Sequence, residues 1–186
     1  HDVIRDYERR GYDFIALTDH RVVPSAEDLN DETSLIAIAG CEYRGRTDSE
    51  LGVVGLEPGS TLEPGLPPRE FVEAAAATGG FVIYNHPTWH IHHWPIFRML
   101  KIGTAHALEV YNAVGDWLPG AAECTDKWDR LLTCGRRIFG VATDDAHTAE
   151  HRGRGWVMVS APREAGAIVA ALKAGRFYAS SGVTIS

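Results

Sequence analysis

Four stretches of the chain are runs of apolar, often β-branched residues that stop on histidine or a carboxylate: FIALTDH at 14–20, LIAIAGCEY at 35–43, FVIYNHP at 81–87 and IFGVATDDAH at 138–147. Such runs suit strands buried on both faces, and in parallel α/β folds polar chemistry gathers at the carboxyl ends of the strands. Segments with helical spacing lie between them. DVIRDYERR at 2–10 puts Val3, Ile4 and Tyr7 on one side and stops at Gly11, and Pro68 opens an alanine-rich run ending at Gly79 and Gly80. A helix near 121–134 brings Trp128, Leu131 and Leu132 together, and another spans 162–174 from Pro162. Shorter strands are expected in LGVVGLE at 51–57, ALEVYN at 107–112 and WVMVSA at 156–161. Loops are expected at 21–34, where Pro24, Asn30 and Asp31 fall, at 58–68, and in the polar hairpin-like HTAEHRGRG at 147–155. This succession predicts an α/β fold with a parallel sheet, and no linker is long enough to divide residues 1–186 into two domains.

Composition narrows the function. With 186 residues, 45% hydrophobic and 23% charged, the chain can bury one sizeable core as a single domain. A formal charge of −7 argues against a broad nucleic-acid or anionic-membrane surface, while leaving room for a small nucleotide bound through metals. No run approaches the roughly 18 apolar residues of a membrane span. Three widely spaced cysteines, Cys41, Cys124 and Cys134, make neither a disulfide framework nor a zinc ribbon and favour a reducing, cytoplasmic setting.

The chemistry rests on what ends the strands. His20, Glu42, His86, Asp145 and His147 are of the types that bind zinc, manganese or iron, and a carboxylate such as Glu42 can bridge two cations. Asp145 and His147, two apart, would share a face of an extended strand end. Taken singly, each has a plainer reading as a turn or cap, but five such residues converging at strand ends point to a shared metal site. Asp19 and Asp144 sit beside ligand candidates and would hold imidazoles in orientation, with a solvated acid as the alternative for Asp144. Cys41 is packing. For substrate, the candidates are Arg44 with Arg46, which suit phosphate oxygens, the histidine tract with His90, His92 and His93, of which His90 and His93 are favoured, and Asn112. Trp117, Trp128 and Trp156 are expected in the core, and His1, His106 and His151 at the surface.

The ordered set TDH at 18–20, GCE at 40–42, NHP at 85–87 and DAH at 145–147, followed by a G-W-V strand and ALKAGRFYASSG at 171–182, resembles the PHP (polymerase and histidinol phosphatase) superfamily over nearly the whole chain. EVYN at 109–112 and the closing FYASSG look like the stand-alone phosphoesterase branch, which also includes carbamate and anilide hydrolases. The resemblance implies a distorted, TIM-like (β/α)7 barrel with two or three divalent cations, manganese, iron or zinc, at its carboxyl end. The family's first H-x-H strand would precede Asp2, so the resemblance implies a portion of a longer protein whose barrel lacks that strand here. Some relatives also place a histidine where this chain has Gly52, and water or a substrate oxygen would then fill that position.

The leading expectation is a hydrolase of phosphate mono- or diesters acting on a small-molecule or nucleotide-like substrate. Hydroxide held between two cations would attack phosphorus, with Asp145 orienting it and His20 and His147 near the leaving oxygen. The alternatives are a carbamate or amide hydrolase on the same metals, and a metal-poor binding module without catalysis. The sequence leaves the oligomeric state open.

Overall fold

The computed structural model describes residues 2–29, 33–44, 49–63, 65–103, 105–118 and 121–185. Arg46, His1, Asn30 and Asp31 lie outside the described residues.

The described residues form eight strands and six α-helices. Helix α1 (Asp2–Arg9) packs Ile4 and Tyr7 against the outer side of β1 (Phe14–Leu17), with Asp2 and Arg9 at the helix ends that suit their charges. After a single helical turn, α2 (Ala26–Leu29), come β2 (Ile36–Arg44) and β3 (Glu50–Val54). Helix α3 (Pro68–Ala77) starts on Pro68 and buries Phe71, Val72 and Ala75 before β4 (Phe81–Tyr84). Helix α4 (Ile96–Ile102), β5 (Ala107–Asn112), a 3-10 turn (Ala113–Trp117), α5 (Thr125–Thr133) and β6 (Phe139–Thr143) follow. A second 3-10 turn (Ala149–His151), β7 (Trp156–Val159), α6 (Ala165–Lys173) and β8 (Phe177–Ser180) complete the chain. Helix α4 escaped the sequence pattern because it is barely two turns long and buries only Met99 and Ile102.

The sheet runs β1-β2-β3-β4-β5-β6, and β7 pairs with β8 as a separate antiparallel ribbon beside β6. It is mixed rather than wholly parallel. β1–β2, β4–β5 and β5–β6 are parallel, whereas β3 is antiparallel to both neighbours. Residues 45–49 are too few to carry the chain back for a parallel strand, which needs a crossover of about a dozen residues, so β2 and β3 must form a hairpin. The sheet curls into a half-barrel.

Side chains alternate across it. The concave face carries Ile38, Val54, Phe81, Ile83, Ala107 and Val141, packed with Ile168 and Leu172 of α6. The convex face carries Cys41, Val53, Val82, Tyr84 and Leu108, packed under α3, α4 and α5 with Trp94 fully buried. Between β1 and the β6–β8 side the concave face borders a cavity of about 1580 Å³, apolar below and polar at the rim. Among the described residues, β1 pairs along one edge only, with β2. Gly40, two residues before Glu42, allows a close approach of neighbouring strands: a Cβ there would lie 2.6 Å from the Val53 carbonyl oxygen and 2.8 Å from Thr18 Cγ2. Gly40→Ala is expected to destabilise the fold by about 1–3 kcal/mol, read as a lower urea midpoint at unchanged slope.

Candidate metal centre

The alternation that fills the concave face with apolar side chains below delivers polar ones at its rim. On β2, Glu42 continues the series Ile38, Gly40; on β3, Glu50 precedes Gly52 and Val54; on β5, Glu109 follows Ala107. Past β4, Asn85 follows Phe81 and Ile83, and past β6, Asp145 follows Val141 and Thr143. Beyond β1, the backbone stays in register with β2: Glu42 N–H donates to the Asp19 carbonyl at 3.1 Å and Arg21 N–H to the Glu42 carbonyl at 2.8 Å. That register sets His20 against Glu42.

Glu42, 6% exposed, has an imidazole on each carboxylate oxygen: His20 Nε2 lies 2.9 Å from Oε2 and His86 Nε2 lies 3.2 Å from Oε1. Asn85 Nδ2 donates to Oε1 at 2.7 Å. On the far side of His86, Glu50 Oε2 stands 3.3 Å from the same Nε2. Glu42, Glu50 and His86 thus offer three buried ligand atoms within 4.8 Å of one another. Two buried carboxylates about one imidazole nitrogen suit a divalent cation with oxygen and nitrogen ligands.

Negative charge crowds His86. Burial alone would lower its pKa, but the hydrogen bond to Glu42 and the charges of Glu109, Glu42 and Asp145 outweigh it and push the imidazole up to about 9. Burial pushes Glu109 up to about 7, with Asp145 adding to the rise and His86, Asn112 and Thr143 opposing it. Glu42 ends below the ordinary carboxylate range: burial works against its ionisation, and hydrogen bonds from His86 and Asn85 with the His86 and His20 charges prevail. Among the described residues, the three non-glycine ones with positive φ, Arg21 (62°), His86 (25°) and Asp145 (50°), all sit at this rim. Each such backbone costs on the order of 1–3 kcal/mol, which the surrounding hydrogen bonds must hold in place. For His86 that includes its own N–H donating to Glu109 Oε2 at 2.5 Å.

His20, Glu42 and His86 therefore meet directly. Asp145 and His147 join the same rim differently from the extended pair expected. The left-handed backbone at Asp145 makes a turn, His147 Nδ1 donates to the Asp145 carbonyl at 2.8 Å, and the half-exposed His147 ring stands 5.7 Å from that of His20. Asp19 is exposed and contributes its carbonyl to the β2 register. Asp144 points the other way: its carboxylate accepts from Tyr7 Oη at 2.6 Å and from the backbone N–H groups of Gly153, Arg154 and Gly155 at 2.6, 2.7 and 2.8 Å. It anchors α1 and the 153–155 loop, not an imidazole, because consecutive strand residues face opposite sides.

Among the substrate candidates, Arg44 remains at the rim, its Nη2 2.6 Å from Glu50 Oε1. His90 and His93 are exposed, and His92 instead turns inward, with Nδ1 3.7 Å from Glu50 Oε2 and Nε2 3.3 Å from Arg44 Nη2. Asn112 is 1% exposed and so out of reach of a substrate; its Nδ2 donates to Glu109 Oε2 at 2.9 Å and Asp145 Oδ2 at 3.1 Å, bracing two carboxylates. Next to Gly52 the space is filled by protein, since a Cβ there would lie 2.6 Å from Asn85 Oδ1. Trp117 is 57% exposed rather than core, because it ends a surface 3-10 turn. His106, expected at the surface, is half-buried and accepts the Val82 N–H at Nδ1. Glu50, Asn85 and Glu109 escaped the sequence reading, although period-2 alternation from Val54 and Ala107 marks both carboxylates as concave-facing, and His92 belongs to a tract in which the sequence favours His90 and His93. Helix α5 pins the loop that carries His92: Lys127 Nζ donates to the Pro87 and Trp94 carbonyls, and Trp89 stacks on His86 at 4.1 Å.

Superposition on solved structures decides the fold. A crystal structure of a two-domain protein from Bacteroides vulgatus containing a predicted PHP-like metal-dependent phosphoesterase matches 95% of this chain at a TM-score of 0.67 and 20% identity. The fold is PHP-like. The chain spans 59% of the length of that neighbour. The structure of PsfC from Pseudomonas syringae matches 86% of the chain and 72% of its own length, at a TM-score of 0.60 and 14% identity. No protein-family model and no curated protein matches the chain. On this fold the Glu42, Glu50 and His86 cluster is a candidate metal site. No helix among the described residues is long and apolar enough to cross a membrane.

Proposed function

We propose that the rim binds two or three divalent cations, manganese, iron or zinc, and hydrolyses the phosphate mono- or diester of a small or nucleotide-like molecule. The observation that carries this reading is the Glu42 carboxylate with one imidazole Nε2 on each oxygen and Glu50 on the far side of His86. Cations bound there would neutralise phosphate charge and acidify water. Glu42, Glu50 and His86 hold the inner position, and His20, Asp145 and His147 the outer one. With Nδ1–H committed to the Asp145 carbonyl, His147 keeps its Nε2 lone pair for ligation. Asn85 fixes the plane of Glu42, and Asn112 spaces Glu109 from Asp145. Arg44, partly exposed beside Glu50, faces the incoming anion with its guanidinium fork.

Residues 1–186 act as one domain in this reading. The edge of β1 that no described strand pairs, with the cavity beside it, leaves room for a further strand that would close the sheet into the (β/α)7 barrel the resemblance implies. A cytoplasmic setting suits the free thiols of Cys41 and Cys124, both buried.

The test is a panel of aryl phosphodiester, phosphomonoester, carbamate and anilide substrates offered to protein loaded in turn with manganese, iron or zinc. Cation-dependent turnover of phosphate esters supports the reading, turnover of the carbonyl substrates alone moves the substrate class, and inertness with every cation leaves a binding module. Cation uptake also carries a pH signature. The proton that His86 holds up to a pKa of about 9 must leave before its nitrogen can ligate. Affinity should therefore climb by up to about tenfold per pH unit below 9 and flatten above it. Titration calorimetry in buffers of different ionisation enthalpy reads the released proton directly.

A further inference from the structure

A line of rings leads from the candidate centre to the surface. His147 stands 5.7 Å from His20 and 6.4 Å from His151, and His151 stands 5.7 Å from Trp117. The backbone ties this line together: His147 N–H donates to His151 Nδ1 at 3.2 Å. Trp117 closes the 3-10 turn that Asn112 caps, with Asn112 Oδ1 accepting Val114 N–H at 3.1 Å while its Nδ2 holds Glu109 and Asp145. One buried amide thus sets both the carboxylates of the centre and the turn that presents Trp117. Tyr111 Oη donates to Asp116 at 2.5 Å and stiffens the same turn.

Trp117 stays 57% exposed although the Arg154 guanidinium carbon lies 5.5 Å from its ring centroid. Arg154 is itself held in place: its backbone N–H donates to Asp144 at 2.7 Å and its Nε to the Glu150 carbonyl at 3.2 Å. With the Arg154 guanidinium over one face, the exposed remainder of the Trp117 ring offers an aromatic surface next to a fixed positive charge, which matches a ligand that is both planar and anionic. The steps of 6.4 and 5.7 Å from His147 through His151 to Trp117 suit an aromatic group held away from its phosphate by a spacer such as a sugar.

Resting on the phosphoesterase reading, we infer that Trp117, flanked by Arg154 and His151, is the stacking platform for an aromatic group, aryl or nucleobase, on the phosphate ester taken at the rim. Nothing in the reaction itself requires this group. The platform selects among substrates.

The test is equilibrium binding to the cation-loaded protein of methylphosphonate, phenylphosphonate and the methylenephosphonate analogue of adenosine monophosphate, none of which is hydrolysed. An aromatic ligand should bind about tenfold more tightly than methylphosphonate, within the range of a single stacking contact. Trp117→Ala should erase that advantage while leaving methylphosphonate affinity and bound metal unchanged, and Trp117→Phe should keep part of it. An advantage for the adenosine analogue alone marks a nucleobase site, and one shared by both marks a general aryl site. Equal aromatic affinity before and after Trp117→Ala, or an equal loss for all three ligands, overturns the platform while the phosphoesterase reading stands. Failure of every phosphonate to bind the wild-type protein overturns that reading and the platform with it.

Discussion

Glu42→Gln is expected to empty the centre of cation and lower phosphoester turnover by about 10³-fold, the equivalent of losing several kcal/mol of metal-supplied charge stabilisation. The variant keeps the size and most hydrogen bonds of the carboxylate but halves its function. Glu42 serves His20 through one oxygen and His86 through the other. An amide offers one acceptor and turns a donor toward the second imidazole, so both nitrogens can no longer face a common anion. Its negative charge is also among those that hold the proton on His86, so the imidazole should titrate nearer its ordinary value in the variant. Metal analysis and steady-state rates measured on the same sample check this. Full metal content with lost turnover would instead give Glu42 a role in the chemical step alone.

The largest stability effect is expected at Asp144. Asp144→Ala leaves the Tyr7 hydroxyl and three backbone N–H groups without the carboxylate that gathers them at 2.6–2.8 Å. Hydrogen bonds to a buried charge are the strong ones, and the loss should cost about 3–5 kcal/mol, or ~10 °C in thermal midpoint for a chain of this size. Because Tyr7 belongs to α1 and Gly153 to Gly155 lead into β7, the variant unlatches the helix from the far side of the half-barrel. Tyr7→Phe removes one of the four contacts and should cost about 1 kcal/mol. Equal losses for the two variants would show that the hydroxyl, not the loop amides, is what Asp144 holds.

The pair Asp144 and Asp145 shows how far the sequence can be read. Alternation along β6 sends Val141, Thr143 and Asp145 to the concave face and Asp144 to α1, so the division of labour was implicit in the strand. The left-handed turn at Asp145 was not, since nothing but the surrounding hydrogen bonds favours φ of 50° at an aspartate. Glu42, His86 and His20 were legible because they end long apolar runs. Glu50 was not, because it opens a strand after a polar excursion and reads as part of a loop. The reversed direction of β3 follows from the short connection before it, a constraint of geometry rather than of residue type. In the histidine tract, residue types alone cannot say which imidazole turns inward; His92 does so because Trp89 stacks on His86 and Lys127 ties down both ends of the loop.

Anomalous diffraction from crystals soaked in manganese or zinc tests the central claim most directly. The expected result is a strong peak bounded by the carboxylates of Glu42 and Glu50 and the Nε2 of His86, lost in Glu42→Gln. Peaks only at exposed histidines such as His90 and His93, with none at the buried cluster, would contradict a metal centre on this rim.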